Sequence, residues 1–107
     1  LEHYRAADKR ERATLRKGER IRQTFMNLSD MFDGVSTRGR GLVQGLVFEK
    51  HENAQKVCEL AFEEGLLAET SGPSDEVVKL LPPLTISDDE LEFGLNILAE
   101  ATAKVQA

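Results

Sequence analysis

The sequence has 107 residues and a mass of 11.9 kDa, with 40% apolar residues, 31% charged residues and a net charge of −5. This length allows one modest domain with a single core, and the composition excludes collagen-like, low-complexity and disordered chains. No stretch approaches the roughly 20 apolar residues that a membrane helix needs, so we expect no membrane span. The single cysteine, Cys58, excludes an intrachain disulfide and favours a reducing cytoplasm. Because the first residue is not methionine, we expect the chain to be part of a longer protein.

Positive charge is concentrated near the N-terminus, where residues 1–22 carry eight lysines and arginines against four acidic residues. A basic segment of this kind is compatible with nucleic acid or with an acidic partner. However, the acidic residues are interspersed, and Glu2 and Asp8 each lie three or four positions from a basic residue along a helix. Few aromatic residues are present to stack on bases. We therefore interpret this segment as a solvated helix face and expect no nucleic-acid partner.

The first half of the chain predicts a helix over residues 1–32, followed by two strands. The helix is expected to end at Asp33-Gly34, because glycine suits the left-handed cap position. Residues 1–17 are more polar and are expected to dock on another part of a larger protein. Strands are predicted at 35–38 and 42–48, around a glycine-rich turn. Apolar residues on both faces of 42–48 indicate a strand covered on both sides. The apolar stripe of the helix consists of Ile21, Phe25, Leu28 and Phe32.

The second half predicts helix, strand, strand and helix. A helix over 52–64 ends at Gly65, and strands at 66–70 and 76–81 flank a turn before Pro82-Pro83 ends the pairing. The order α-β-β-α-β-β-α predicts an α+β fold, a small antiparallel sheet with helices packed on it, as a single domain over residues 1–107. The expected apolar face of the second helix is Ala54, Val57, Cys58, Ala61 and Phe62. For the last helix we expect a Ser87–Glu90 capping box, an Ile86–Leu91 staple and a buried stripe of Leu91, Gly94, Leu95, Leu98, Ala101 and Val105.

Residues that could carry chemistry are sparse. The glycine-rich segment 38–45 lacks the sixth-position glycine of a dinucleotide fingerprint, since Gln44 stands there, and a strand follows where a helix is needed. We interpret these glycines as permitting a tight turn and close backbone approach, with Arg38 and Arg40 left as candidates to face an anion or a partner. The acidic residues near 63–64 and 88–90 are explained by helix ends, so no catalytic residue is assigned.

The histidines and the cysteine do not indicate a metal or a nucleophile. His3 and His51 lack other histidines or cysteines at ligand spacing, so no metal site is expected. Cys58 lies on an apolar helical face and is interpreted as a buried, inert thiol.

Three segments carry a family resemblance: residues 37–45, residues 62–67 and residues 69–86. Together they resemble the C-terminal region of class III aminotransferases, which use pyridoxal phosphate. Within the class, the Glu-Thr-Ser-Gly and Glu-Val-Val-Lys runs are similar to those of the diaminobutyrate transaminases of ectoine biosynthesis. The resemblance covers essentially the whole chain in order.

The resemblance implies the small domain of a fold-type I transaminase that moves an amino group from glutamate to aspartate β-semialdehyde. It also implies a homo-oligomer built from dimers, small amino and oxo acids as ligands, and a cofactor in Schiff-base linkage to a lysine of the large domain. That lysine lies upstream, so this chain would hold no cofactor-binding residue and be inactive alone. No lysine of this chain stands in the matching context (Lys9, Lys17, Lys50, Lys56, Lys79 and Lys104).

Lys79 is the one candidate substrate-binding residue. The resemblance places it where many class III enzymes have an arginine that grips a substrate carboxylate, although a lysine offers a point charge in place of a bidentate fork. Strand alternation puts Lys79 on one face with Val77 and Leu81. The simpler interpretation is an edge-strand lysine that reaches water and discourages sheet pairing. For the whole chain, the alternative to an enzyme part is a non-catalytic α+β domain with a regulatory or interaction role.

Overall fold

The computed structural model describes residues 2–66, 68–80, 82 and 86–106, with side chains from residue 12 onward. Within these residues, three helices and four strands follow in the predicted order. The strands form one antiparallel sheet in the order β1-β2-β4-β3. The elements are α1 (Glu2–Met31), β1 (Val35–Arg40), β2 (Val43–Phe48), α2 (His51–Glu63), β3 (Glu69–Ser71), β4 (Val77–Leu80) and α3 (Asp88–Gln106). The predicted α+β fold is confirmed.

Helix α1 buries the expected stripe. Ile21 and Phe25 are fully buried, Leu28 is 4% exposed, and Phe32 packs against the core just beyond the helix end. The spacing of three and four residues brings these side chains onto one face, which packs on the sheet. Gly34 follows with a φ of 82°, the left-handed conformation predicted for the end of this helix.

The β1–β2 hairpin is tighter than the sequence indicated. Strand β1 continues to Arg40, which pairs with Val43, so the turn consists of Gly41 and Leu42. Leu42 belongs to this turn, although a strand position was expected, and its side chain is buried in the core. The correction has a simple cause, because Gly39 and Gly41 both adopt positive φ and let the chain remain paired up to the turn.

Helix α2 ends in the predicted glycine cap. Gly65 has a φ of 90°, its amide donates to the Phe62 carbonyl, and the Leu66 amide donates to the Ala61 carbonyl. This is the Schellman arrangement. The expected apolar face is correct for Ala54, Val57 and Ala61, which are buried. It is wrong for Phe62, which lies at the edge of the stripe and is 69% exposed, and Cys58 is half-buried where a buried thiol was expected.

Strands β3 and β4 are shorter than predicted. Leu66 belongs to the cap of α2, and β3 covers only Glu69–Ser71, which pair with Val77–Lys79 of β4. The predicted turn between them is present, with Gly72 at a φ of 94° and Asp75 at 55°. Leu81, expected as the last strand residue, lies outside the described residues.

Helix α3 begins as the sequence predicts. The Ser87 hydroxyl accepts from the Glu90 amide at 3.1 Å, and the Glu90 carboxylate accepts from the Ser87 amide at 3.2 Å. Hydrogen bonding of the carboxylate to Ser87, first to its side chain and then to its backbone amide, holds the pKa of the Glu90 carboxyl below its ordinary value. The buried residues of the helix are Leu91, Gly94, Leu95, Ile97, Leu98, Ala101 and Thr102, while Val105 is half-buried.

The core lies on one face of the sheet. Buried side chains of all three helices share one cluster with a single set of strand positions, namely Val35, Leu46, Phe48, Val78 and Leu80. The expectation that 42–48 is covered on both sides is wrong at Val43, which is 57% exposed on the opposite face, although Gly45 and the neighbouring Val77 on that face are buried. That opposite face carries the candidate site.

Candidate functional site

Lys79 lies on the helix-free face of the sheet, on an internal strand. Strand β4 pairs with β2 on one side and β3 on the other, so the interpretation of Lys79 as an edge-strand lysine is wrong. Val77 shares its face, as alternation predicts. The positive charge of Lys79 therefore does not serve to prevent pairing at a sheet edge.

One row of residues crosses all four strands through Lys79. The register pairs Arg38 with Gly45, Gly45 with Lys79, and Lys79 with Glu69. Directly paired residues point to the same face of an antiparallel sheet. Arg38 and Lys79 therefore stand on the same face with a glycine between them, two strand spacings or roughly 9–10 Å apart at their Cα atoms.

Among the described residues, neither cation of this row has a neutralising neighbour. Arg38 is exposed and Lys79 is half-buried, and neither side chain forms an ion pair or hydrogen bond with another described residue. Glu69 is the direct cross-strand neighbour of Lys79, yet the structure records no ion pair between the two. Within the described part of the chain, the row thus presents two positive charges without an ionic partner.

Gly45 is required at the centre of this row by packing. A Cβ atom there would lie 2.6 Å from Cγ1 of Val77, closer than atoms can approach. The surface between the two cations is therefore backbone and a valine methyl group, with no side chain at the middle position.

The hairpin that carries Arg38 is fixed to helix α1. Gln44 is buried and its side-chain amide donates to the Gly18 carbonyl at 2.8 Å and to the Gly41 carbonyl at 2.5 Å. Gly18 allows the hairpin to approach, because a Cβ there would lie 3.0 Å from the backbone of Gly41. The sequence analysis did not identify this contact, although a glycine inside a helical pattern and a glutamine inside a strand were visible signals.

Two ion pairs join helix α1 to the start of helix α3. Arg20 contacts Glu92 through two hydrogen bonds of 2.6 and 2.8 Å and also donates to the Thr24 hydroxyl. Arg16 contacts Asp88 at 3.0 Å in a more exposed position. Two of the arginines in the basic N-terminal segment therefore form ion pairs within the fold.

The remaining candidates show no catalytic arrangement. His51 lies 3.3 Å from Glu52 on the surface, and the side chain of His3 lies outside the described residues. Burial, with a smaller contribution from the charge of Glu59, raises the pKa of the Cys58 thiol, which disfavours the reactive thiolate. Across the described part of the chain, no group of three or more metal-ligating side chains comes together.

A pyridoxal phosphate site does not fit the described residues. A cavity of about 330 Å³ includes Lys50, but Asp33 and Glu49 also line it and would repel a phosphate. A second cavity, of about 210 Å³, includes Lys17, but Asp88 and Glu92 line it as well.

No helix in the described part of the chain is long and apolar enough to cross a membrane.

Comparison with known proteins supplies the context for this geometry. The family model described as aminotransferase class III matches residues 6–102. A diaminobutyrate–2-oxoglutarate transaminase from Nocardia farcinica is 60% identical over 91 residues, which cover 85% of this chain and 21% of that protein. One from Streptomyces anulatus is 50% identical over 99 residues, covering 92% and 24%.

The same architecture occurs in solved structures. A phospholyase from Arthrobacter, in complex with phosphoethanolamine, superposes with a TM-score of 0.83 at 25% identity, covering 94% of this chain and 26% of that one. The chain therefore spans about a quarter of the length of the proteins it matches, and the match corresponds to their C-terminal part.

Proposed function

Because the chain belongs to the class III aminotransferase family, we propose that it is the C-terminal small domain of a diaminobutyrate–2-oxoglutarate transaminase. The complete enzyme transfers an amino group from glutamate to aspartate β-semialdehyde and forms 2,4-diaminobutyrate and 2-oxoglutarate, as in ectoine biosynthesis. The observation that carries this proposal is the identity to two transaminases of that specificity over most of the chain.

The proposal divides the enzyme between this domain and a large domain outside the chain. The large domain holds pyridoxal phosphate, which supplies the electron sink for the reaction when bound. Residues 1–107 form one domain that docks on the large domain, and the enzyme assembles through dimers. The proposed location of the enzyme is the cytoplasm.

Lys79 has the role of a substrate-binding residue. Its side chain is half-buried, shares a face with apolar Val77 and starts beside Gly45, where Cγ lies 3.7 Å from a Cβ built on the glycine; a charge on such a stem is costly unless it reaches solvent or an anion. A carboxylate of glutamate or of the semialdehyde supplies that anion once the large domain faces the sheet. The unpaired state of Lys79 among the described residues supports this role.

The first test is an assay of the full-length protein that contains this chain. With glutamate, aspartate β-semialdehyde and pyridoxal phosphate, we expect formation of 2,4-diaminobutyrate and 2-oxoglutarate. Absence of the reaction in a folded, cofactor-loaded protein would favour the alternative, a non-catalytic interaction or regulatory domain.

We expect the 107-residue chain alone to be inactive and to bind no pyridoxal phosphate specifically. The physical reason is that the described residues offer neither a phosphate cradle nor a suitably placed lysine. The measurement is borohydride reduction after incubation with the cofactor, followed by peptide mapping. Saturable labelling of one specific lysine would contradict the expectation.

The role of Lys79 is tested by Lys79→Met in the full-length enzyme. We expect the KM for a carboxylate substrate to rise at least several-fold, since an exposed charge contact contributes on the order of 1 kcal/mol and a desolvated one roughly 2–3 kcal/mol. Lys56→Met, which changes an exposed lysine of α2, is the matched control and should leave KM unchanged. If Lys79→Met leaves the kinetics of both substrates unchanged, Lys79 is a structural lysine.

A further inference from the structure

Arg38 is the unassigned residue whose position relates most directly to Lys79. The two lie in the same cross-strand row and on the same face, separated by Gly45. Their Cα atoms are roughly 9–10 Å apart. An extended arginine and an extended lysine each reach several ångströms beyond Cβ, so both charged groups can meet above the glycine.

The surface between them suits an anion that is removed from water. Gly45 has no side chain, and Cγ1 of Val77 lies over it. An apolar floor beneath two positive charges strengthens their attraction for a carboxylate once a facing domain excludes solvent.

Arg38 also stands on a part of the fold that cannot easily move. Gln44 ties the hairpin to the Gly18 carbonyl of α1, and the backbone of Gly41 packs directly on Gly18. A binding residue on a fixed strand loses less freedom when it engages a ligand.

We propose that Arg38 and Lys79 jointly bind one carboxylate group of the amino-acid or oxo-acid substrate above Gly45. Arg38 provides the planar fork that accommodates both carboxylate oxygens, and Lys79 provides a point charge beside it. The inference rests on the proposed function, because it adds a second residue to the substrate-binding site of the proposed enzyme.

Glu69 is the negative charge that competes with a substrate carboxylate for Lys79. It is the cross-strand neighbour on the side away from Gly45, and it lowers the positive potential there without forming an ion pair. Arg38 lies three strands away from Glu69 and does not share this competition. The Glu69→Gln variant is therefore expected to lower KM slightly, while leaving the effect of Arg38 intact.

The test uses the full-length enzyme with Arg38→Met, Lys79→Met and the double variant. We expect each single substitution to raise the KM for glutamate about tenfold, the size of a lost charged hydrogen bond, with a smaller change in kcat. Since both residues hold the same carboxylate, the double variant should raise KM little beyond the larger single effect. Inhibition by glutarate, a dicarboxylate without an amino or keto group, should weaken in parallel.

Arg40→Met is the matched control. Arg40 is an exposed arginine on the same strand and the same face, but its row pairs it with Val43 beside the turn and does not include Lys79. We expect it to change KM by less than about twofold.

Three results overturn the inference. If the increases in KM of the two single variants multiply in the double variant, the two residues act at separate sites. If Arg38→Met and Arg40→Met raise KM equally, the effect is one of general surface charge. Loss of thermal stability in Arg38→Met with unchanged KM and glutarate inhibition shows that the carboxylate belongs to the large domain and not to the substrate. A wild-type enzyme without transaminase activity refutes the proposed function itself, which is a different outcome from all three.

Discussion

At the scale of single residues, two glycines inside helices have different reasons to be there. A Cβ at Gly18 of α1 would lie 3.0 Å from three backbone atoms of Gly41, which cannot rotate away. A Cβ at Gly94 of α3 would lie 3.2 Å from Cδ1 of Leu66, the end of a flexible side chain. The close approach of the hairpin therefore requires a glycine at position 18. At position 94, an added methyl group needs only a small movement of the Leu66 side chain.

This difference predicts opposite effects of the same substitution. Alanine is favoured over glycine in a helix interior by up to about 1 kcal/mol, so Gly94→Ala should stabilise the chain by about 0.5 kcal/mol. Gly18→Ala should destabilise it by about 1 kcal/mol, because displacing the hairpin outweighs the helical gain. Urea unfolding of both variants beside the wild type measures the difference. Equal stabilisation by the two substitutions would show that the hairpin yields to the added methyl group.

At the scale of elements, the helix ends were predictable because their signals are local. The Ser87–Glu90 capping box and the Gly65 cap each depend on residues within one turn, and the structure contains both. The apolar stripe of α1 was predictable for the same reason, since its period is fixed by the helix itself.

The strand limits and the helix-free face were not predictable, because they depend on pairing between distant segments. Leu66 has a strand-like neighbourhood in the sequence, yet its amide is used by the cap of α2. Val43 and Val47 continue an apolar run, but the helices cover only the side of Leu46 and Phe48. An apolar run by itself does not indicate which of its two faces the helices cover.

The candidate site was predicted in part for a related reason. Lys79 was singled out because a family resemblance marks its position, and strand alternation correctly placed it with Val77. That Arg38 lies in the same row as Lys79 follows from the register of three strands, and a local sequence pattern does not determine that register. Gln44 escaped notice because its function depends on the α1 backbone 26 residues away.

At the scale of the whole molecule, helix α1 is longer than the stretch of it that packs on the core. The molecule measures 51 × 24 × 23 Å, and a 30-residue helix is about 45 Å long. Among the residues of α1 whose side chains the structure describes, the first buried ones are Lys17 and Gly18, whereas Leu15 is 70% exposed. The ion pair between Arg16 and Asp88 is exposed, and such pairs contribute little to stability.

Because helices in water owe most of their stability to packing, the N-terminal part of α1 should open far more readily than α3. In the isolated chain we expect the amides of residues 5–17 to exchange with solvent much faster than those of residues 91–101. In the full-length enzyme, docking on the large domain or a second subunit should slow exchange in 5–17 specifically. Native-state hydrogen exchange on both proteins measures this. Equal protection of the two segments in the isolated chain would show that α1 needs no docking partner, and that the polar character of residues 1–17 is compatible with a self-sufficient helix.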